Sequence, residues 1–263
     1  MRAVFGIDVS KASSEVAILV NGEKVHGYTI SNDALGFARL LGDLKTVHKP
    51  EIIFEATGVY SRRLQSFLDE HGYAYTRLNP LEAKKQLDSL RVRKTDQIDA
   101  EKLAQSQFVL NRKPTYVQEE VYQELRDLSR FYQNLTEDIV RAKNRLHKVL
   151  QVTFPELETI LSTPTGEQYG NLVVAFPCKD FVLDLSKDEL SESIRQSTSK
   201  RISDKRVAYL AEKLIALANQ SYCAVKKTSP IKKTSPMLEE VRYYAQELLR
   251  LSERRKAVLD QMV

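Results

Sequence analysis

Two short apolar runs, each carrying a carboxylate close to its end, constrain this chain more than any other feature. Ala3-Val4-Phe5-Gly6-Ile7-Asp8-Val9 has the composition of a buried strand, yet Asp8 interrupts it with a charge that is costly to bury without compensation. Glu51-Ile52-Ile53-Phe54-Glu55-Ala56-Thr57-Gly58 repeats the arrangement, an apolar strand and an acid followed by a glycine-containing turn into an amphipathic segment from Tyr60 to His71. Ligands of open α/β sheets bind at the carboxyl ends of strands, and two neighbouring strands would set Asp8 and Glu55 side by side. A third block, Lys94-Thr95-Asp96-Gln97-Ile98-Asp99-Ala100, spaces two acids three residues apart. On a helix that spacing puts Asp96 and Asp99 on one face, with Thr95 as its N-cap.

Four oxygen-donor side chains of this kind suit Mg²⁺ or Mn²⁺, which take carboxylate and water ligands in octahedral geometry. Two such ions, roughly 4 Å apart, activate the attacking oxygen and stabilise the leaving one in phosphoryl transfer. Any one of these acids alone would be read as a turn residue, an N-cap or a solvated helix face. Two of them embedded in apolar strands favour a metal site acting on phosphodiesters.

The same residues carry a resemblance. Gly6-Ile7-Asp8-Val9-Ser10-Lys11, then Phe54-Glu55-Ala56-Thr57-Gly58-Val59-Tyr60, then Lys94-Thr95-Asp96-Gln97-Ile98-Asp99-Ala100 look like the three signature blocks of the DEDD transposases of the insertion-sequence one-ten family, which includes the pilin-gene inverting recombinases. The resemblance continues more weakly through Phe154-Pro155-Glu156-Leu157 and Ala175-Phe176-Pro177. It implies a RuvC-like, RNase H-type catalytic domain in which Asp8, Glu55, Asp96 and Asp99 are the catalytic, metal-binding acids. It further implies DNA as substrate, a structured guide RNA as partner and a serine nucleophile borne on a C-terminal domain. No such domain follows Met262-Val263, so the expectation is an N-terminal portion of the full enzyme. Ser10, although close to Asp8, reads as a strand-end or turn residue rather than that nucleophile.

The chain is long enough for one sizeable core with an appendage, or for two modest domains. A hydrophobic content of 42% and a charged content of 29% describe an ordinary soluble protein. No apolar stretch approaches the length needed to cross a bilayer and no signal peptide is recognisable, so a cytoplasmic location without membrane contact is expected. Cys178 and Cys223 lack any metal-ligand or CxxC spacing and read as reduced thiols. A net charge of +5 is consistent with a polyanionic partner.

Strands over Ala3–Val9, Glu15–Val20 and Lys24–Ile30, the latter two joined at Asn21-Gly22, are followed by a helix capped by Asp33 and carrying Leu35, Phe37, Leu40, Leu41 and Leu44. The strand ending at Glu55, a helix after Gly58 and a strand from Tyr73 to Leu78 complete a β-β-β-α-β-α-β order. This predicts an α/β fold, an RNase H-like mixed sheet with flanking helices, over residues 1–113. Lys84, Lys85, Arg91, Arg93 and Lys94 precede the Asp96/Asp99 pair and are placed to hold a phosphate backbone.

Beyond Pro114 the pattern becomes helical. Val121, Leu125, Leu128, Tyr132, Leu135, Ile139, Ala142, Leu146 and Val149 alternate spacings of four and three, a heptad seam that demands a partner helix. Arg141, Arg145 and Lys148 lie off the seam, on a solvated face or on a ridge that binds nucleic acid. Met237 to Met262, with Leu238, Val241, Ala245, Leu248 and Leu259 on one stripe, is the antiparallel partner; an exposed remainder of the seams would make a homo-oligomer. Between the arms come an apolar piece from Leu172 to Phe176, a capping box at Ser186-Lys187-Asp188-Glu189 and a helix through Val207 to Leu217. A short repeat, Lys226-Lys227-Thr228-Ser229-Pro230 and Lys232-Lys233-Thr234-Ser235-Pro236, reads as an exposed basic loop. The expected second region is therefore an all-α, coiled-coil-like hairpin over 114–263.

Two other functional classes compete with a transposase. One is a nucleic-acid-binding and dimerising module that is catalytically incomplete. The other starts from Gly6-Ile7-Asp8-Val9-Ser10, which also resembles the phosphate loop of actin-like sugar kinases; those proteins need further glycine-rich loops, and only 9 glycines occur here.

Overall fold

The computed structural model describes residues 1–81, 96–116, 119–163, 166–226 and 235–263. The chain divides into two compact units, Met1–Val117 and Gln118–Val263.

In the first unit the apolar runs become β1 (Ala3–Val9), β2 (Ser13–Val20), β3 (Glu23–Ser31), β4 (Glu51–Glu55) and β5 (Tyr75–Leu78), with helices α1 (Ala34–Lys45), α2 (Ser61–Glu70) and α3 (Asp96–Leu110). The sheet order is β3-β2-β1-β4-β5. β2 runs antiparallel to both of its neighbours, whereas β1, β4 and β5 are parallel to one another. This is the mixed sheet with flanking helices expected from the sequence, with the Asp8 strand at its centre. Asn21 and Gly22 close the β2–β3 hairpin with positive φ of 52° and 93°, the conformation a two-residue turn requires to match strand twist. The Asp33 carboxylate caps α1, accepting from the Gly36 amide at 2.9 Å. Leu35 departs from the expected stripe: it is 82% exposed, and α1 buries Gly36, Phe37, Leu40 and Leu44 instead.

Side-chain alternation along the strands gives the sheet two unlike faces. Phe5, Ile7, Val9, Ile52 and Phe54 pack with α1 and α2 residues such as Phe37, Leu40 and Leu64. Val4, Ala17, Leu19, Ile53 and Leu78 pack with Ala100, Leu103 and Ala104 of α3. The second face is thin because α3 lies almost on the backbone of β1. A Cβ on Gly6 would overlap the Ala100 carbonyl oxygen and stand 2.7 Å from the Ala104 nitrogen.

The far end of α3 is clamped by charge. Arg2 holds Glu51 through paired bonds of 2.6 and 2.9 Å and donates to the Gln107 carbonyl at 3.0 Å, while the Gln107 side chain donates to Glu51 at 3.0 Å. Arg2 hydrogen bonding depresses the Glu51 pKa below its ordinary value, against the opposing effect of burial. Along the outer edge of β5, Thr115 donates its amide to the Tyr75 carbonyl at 2.7 Å and its hydroxyl accepts from the Arg77 amide at 2.7 Å.

The second unit is helical: α4 (Glu120–Thr153), a 3-10 turn (Pro155–Thr159), α5 (Glu167–Ala175), α6 (Asp180–Leu183), α7 (Lys187–Gln196), α8 (Asp204–Gln220) and α9 (Pro236–Met262). α9 packs along α4. Arg145 sits over Tyr244, Arg254 over Phe131 and Arg255 over Tyr132, so residue numbers rise on one helix as they fall on the other, and the pair is antiparallel. Leu135, Ile139, Ala142, Leu146 and Val149 are buried as the seam requires, but its first positions, Val121 and Leu125, are exposed. On α9 the stripe ends through Leu251 and Val258; Leu259, expected on it, is 45% exposed.

The piece around Leu172–Phe176 is the end of helix α5, which crosses α9 closely enough that a Cβ on Gly170 would meet Leu249 at 2.7 Å. Ser186 and Glu189 form the expected capping box on α7. Residues 227–234, most of the short basic repeat, lie outside the described residues. Among the described residues no helix is long and apolar enough to cross a membrane.

Two substitutions separate close approach from mere helix composition. Gly6→Ala should cost about 2 kcal/mol or more in urea unfolding, because α3 must move. Gly42→Ala, at a helix position with open space around it, should instead gain about 0.5–1 kcal/mol. The Glu51 clamp has a pH signature. A depressed folded pKa stabilises above the unfolded value and is lost as pH falls through the folded one. Glu51→Gln should therefore lower the melting temperature at pH 7, and the deficit relative to wild type should shrink as pH drops below about 4.5.

Candidate active site

Asp8 belongs to the α3 face of the sheet, being two residues from Gly6 and four from Val4 on a strand whose odd positions point to the other side. Glu55 belongs to the same face by its spacing from Ile53 and from Glu51, which bonds to α3 through Gln107. Ile7 pairs with Phe54 across the parallel β1–β4 ladder, so Asp8 and Glu55 are the next residues in register. Neighbouring strands lie about 4.8 Å apart. The first two acids singled out from the sequence thus come from adjacent strands, at one level and on one face.

The level of α3 follows from its packing. Gly6 lies under Ala100 and Ala104, whereas Arg2 reaches Gln107, Phe108 and Asn111. Helix and strand therefore run in opposite directions. Two strand residues beyond Gly6, about 7 Å, correspond to about four to five helical residues. Asp8 is accordingly level with the 96–99 turn of α3. Asp99, half-buried, adjoins the fully buried Ala100. Asp96 is the first residue of the helix, one turn before Ala100; its side chain lies outside the described residues. Among the described residues, no group of three or more His, Cys, Asp or Glu side chains is assembled closely enough to hold a metal ion.

The register adds a carboxylate that the sequence reading passed over. Asp8 is directly opposite Glu15 in the β1–β2 ladder, Glu15 is opposite Thr29 in β3, and Glu55 is opposite Leu78 in β5. Thr29, Glu15, Asp8, Glu55 and Leu78 thus form one row across all five strands, with three acids at its centre. The Thr29 hydroxyl donates to Glu15 at 2.5 Å. Directly opposed like charges on neighbouring strands repel, and this row sets three carboxylates on consecutive strands. Counting the β1–β2 pairing outward from the short turn at 10–12 is the signal that finds Glu15.

The turn after Glu55 contributes a second group. Thr57 has a buried hydroxyl oxygen with no hydrogen-bond partner among the described residues, next to Gly58, whose φ of +59° lets the chain turn into α2. Carboxylate and hydroxyl oxygens are the donor type that hard divalent cations take, so the chemistry of these side chains fits such an ion even though the described ones are not assembled around one.

Ser10 is a turn residue: its amide donates to the Ser13 carbonyl at 3.0 Å and its carbonyl accepts from the Asn32 side chain at 2.7 Å. Of the basic residues expected to meet nucleic acid, Lys84, Lys85, Arg91, Arg93 and Lys94 lie outside the described residues, as does the Thr95 cap. Arg141 is engaged with Asp138 at 2.7 Å and Glu137 at 3.7 Å. Arg145 is exposed with its guanidinium 6.0 Å from the Tyr244 ring centre, and Lys148 is exposed.

Among known structures, Thermus thermophilus RuvC in complex with a Holliday junction substrate is similar at 16% identity, covering 44% of this chain and 100% of that chain with a TM-score of 0.34. A second Thermus thermophilus RuvC structure is similar at 16% identity, covering 43% of this chain and 99% of that chain with a TM-score of 0.33. The Aquifex aeolicus Ppx/GppA phosphatase is similar at 13% identity over 83% of this chain and 91% of that chain, with a TM-score of 0.23. Among curated proteins none matches significantly. A family model for DEDD transposases of IS110 type, described as Transposase, matches residues 5–155, a span that contains all three acid-bearing blocks. With more than half of its length matched by that model, the chain belongs to the IS110-type DEDD transposases.

Proposed function

We propose that the first unit is a divalent-metal-dependent centre for DNA strand cleavage and transfer, and that the chain works as the transposase or site-specific recombinase of an insertion sequence. The observation that carries this reading is the alignment of Asp8 and Glu55 on adjacent strands with the Asp96–Asp99 turn of α3 at the same level. Asp8, Glu55, Asp96 and Asp99 would hold Mg²⁺ or Mn²⁺. Such an ion, when bound, neutralises charge on a scissile phosphate and lowers the pKa of an attacking hydroxyl.

The protein's own side chains do the rest. Asp8 and Glu55 are fixed by strand backbone, so their spacing changes little as substrate arrives. Glu15, oriented by Thr29, adds negative charge one strand away and raises the affinity of the row for cations. Thr57 offers a hydroxyl to a phosphate oxygen or to a cation-bound water. Lys84, Lys85, Arg91, Arg93 and Lys94 adjoin the acid-bearing helix in sequence and would grip the strand being cut. Arg145 and Lys148 of α4, both exposed, would add phosphate contacts, and Arg141 would do so after exchanging its acidic neighbours. Following the family resemblance, a structured guide RNA joins the working complex; the exposed seam positions Val121 and Leu125 would seat a second copy of the chain, and the complex would work in the cytoplasm.

Melting measured with and without Mn²⁺ tests the centre independently of activity. Wild type should be stabilised, Asp8→Asn should lose the shift, and Glu15→Gln should need several-fold more Mn²⁺ to reach it. A wild-type melting temperature indifferent to Mn²⁺ and Mg²⁺ would refute the metal centre. Cleavage of labelled branched DNA by the chain in Mg²⁺ should fall by at least about 100-fold in Asp99→Asn. Tight, salt-sensitive DNA binding with no cleavage would favour the binding-module reading. Arg145→Ala and Lys148→Ala should each weaken DNA binding alike on all sequences and reduce the salt slope by about one.

A further inference from the structure

The turn that carries the chain from β1 into β2 is held more firmly than hairpin closure requires. The Ser10 amide donates to the Ser13 carbonyl at 3.0 Å, which closes the turn. Asn32, just past the end of β3, then grips the peptide on both sides of Lys11: its side-chain amide donates to the Ser10 carbonyl at 2.7 Å, and its backbone amide donates to the Ala12 carbonyl at 3.0 Å. The Ser14 hydroxyl donates to the Asn32 side-chain oxygen at 2.6 Å, which orients the amide. Asn32 is 5% exposed and Ser14 1%. Burying polar groups of this kind is costly unless they are bonded, and a bonded buried network holds one conformation. The residue so fixed, Lys11, is itself exposed.

Lys11 stands beside the carboxylate row. Asp8 lies three residues before it and Glu15 four after it, opposite one another in the β1–β2 ladder, and a single pair, Val9 with Ser14, lies between them and the turn. Three residues of strand span about 10 Å, within about one Debye length at 0.1 M salt, yet among the described residues Lys11 makes no ion pair. A phosphodiester approaching the row is repelled by it, and a fixed cation at the rim offsets that repulsion. We propose that Lys11 is a phosphate contact for the DNA strand bound at the carboxylate row, and that Asn32, which acts through Lys11, is its positioning residue. This rests on the strand-cleaving reading above and adds a cation to those already assigned to nucleic acid. By duplex rise, the phosphate that Lys11 meets is within about three nucleotides of the acids. Because Asn32 holds the backbone on both sides, the ammonium is offered from one place, and little backbone freedom is lost when DNA binds.

The test is the affinity of the full chain for labelled branched DNA in Ca²⁺ over a series of salt concentrations, with melting in Mn²⁺ measured in parallel. Lys11→Ala should weaken binding several-fold at about 0.1 M salt and reduce the salt slope by about one, whereas Lys11→Arg should keep the slope. Lys45→Ala, at an exposed lysine on the opposite end of α1 from Asn32, should bind as wild type does. Asn32→Ala should weaken binding in the same direction, and the double variant with Lys11→Ala should bind no worse than Lys11→Ala alone, the non-additivity of a residue that acts through another. Ser14→Ala, which removes only the bond that orients the Asn32 amide, takes the place of Asn32→Ala if that variant folds poorly. Unchanged affinity and slope in Lys11→Ala, with a wild type that binds DNA and melts higher in Mn²⁺, would overturn this proposal and leave the metal centre standing. Fully additive losses in the double variant would overturn the positioning role of Asn32. A wild type that neither binds DNA nor responds to Mn²⁺ would sink the strand-cleaving reading and this inference with it.

Discussion

The absence of one side chain, at Gly6, governs the architecture of the first unit. Sheets ordinarily stand off from a covering helix by the thickness of two side-chain layers. Here α3 rests against strand backbone, with Ala100 and Ala104 as its contact residues, and only glycine in the strand combined with alanine in the helix permits that distance. A closer helix brings the side chains at its margin closer to the strand as well. Short carboxylates such as Asp8 and Asp99 have limited reach, so the cation proposed for them would need this kind of approach. The same contact fixes the rotation of α3, because Ala100, Leu103, Ala104 and Gln107 are its buried stripe and Asp99 borders it.

Charge at the two ends of α3 is arranged in opposite ways. At the end near Arg2, a guanidinium satisfies Glu51 and engages the last turn of the helix, where cations are favourable partners for exposed carbonyl groups. At the other end, three acids line up across β2, β1 and β4, on the face that α3 covers. The second unit follows a different logic: a long apolar seam joins α4 to α9, and arginines lying over Phe131, Tyr132 and Tyr244 cover its margins with charge while keeping their stems on apolar surface.

Much of this was legible in the residues. Strand runs with period two, the Asn21-Gly22 turn, the Asp33 cap and the capping box at Ser186 are local signals, and each appears in the structure close to its expected position. The seam of α4 was legible from Leu135 onward, where α9 covers it. Leu35, Val121, Leu125 and Leu259 were placed on buried stripes and are exposed, because periodicity reports which face a residue occupies but not where along a helix the partner covers that face. Asp8 and Glu55 could be linked by the rule for strand ends. Glu15 could not be found without strand register, since its significance lies in what stands opposite to it.

The clamp formed by Arg2, Glu51 and Gln107 gives the first unit a lever. With Gly6 as the fulcrum, the helix has one arm anchored by ionic bonds and another that carries Asp96 and Asp99. Arg2, which touches none of the site acids, thus fixes the far end of the same helix whose first turn carries Asp96 and Asp99.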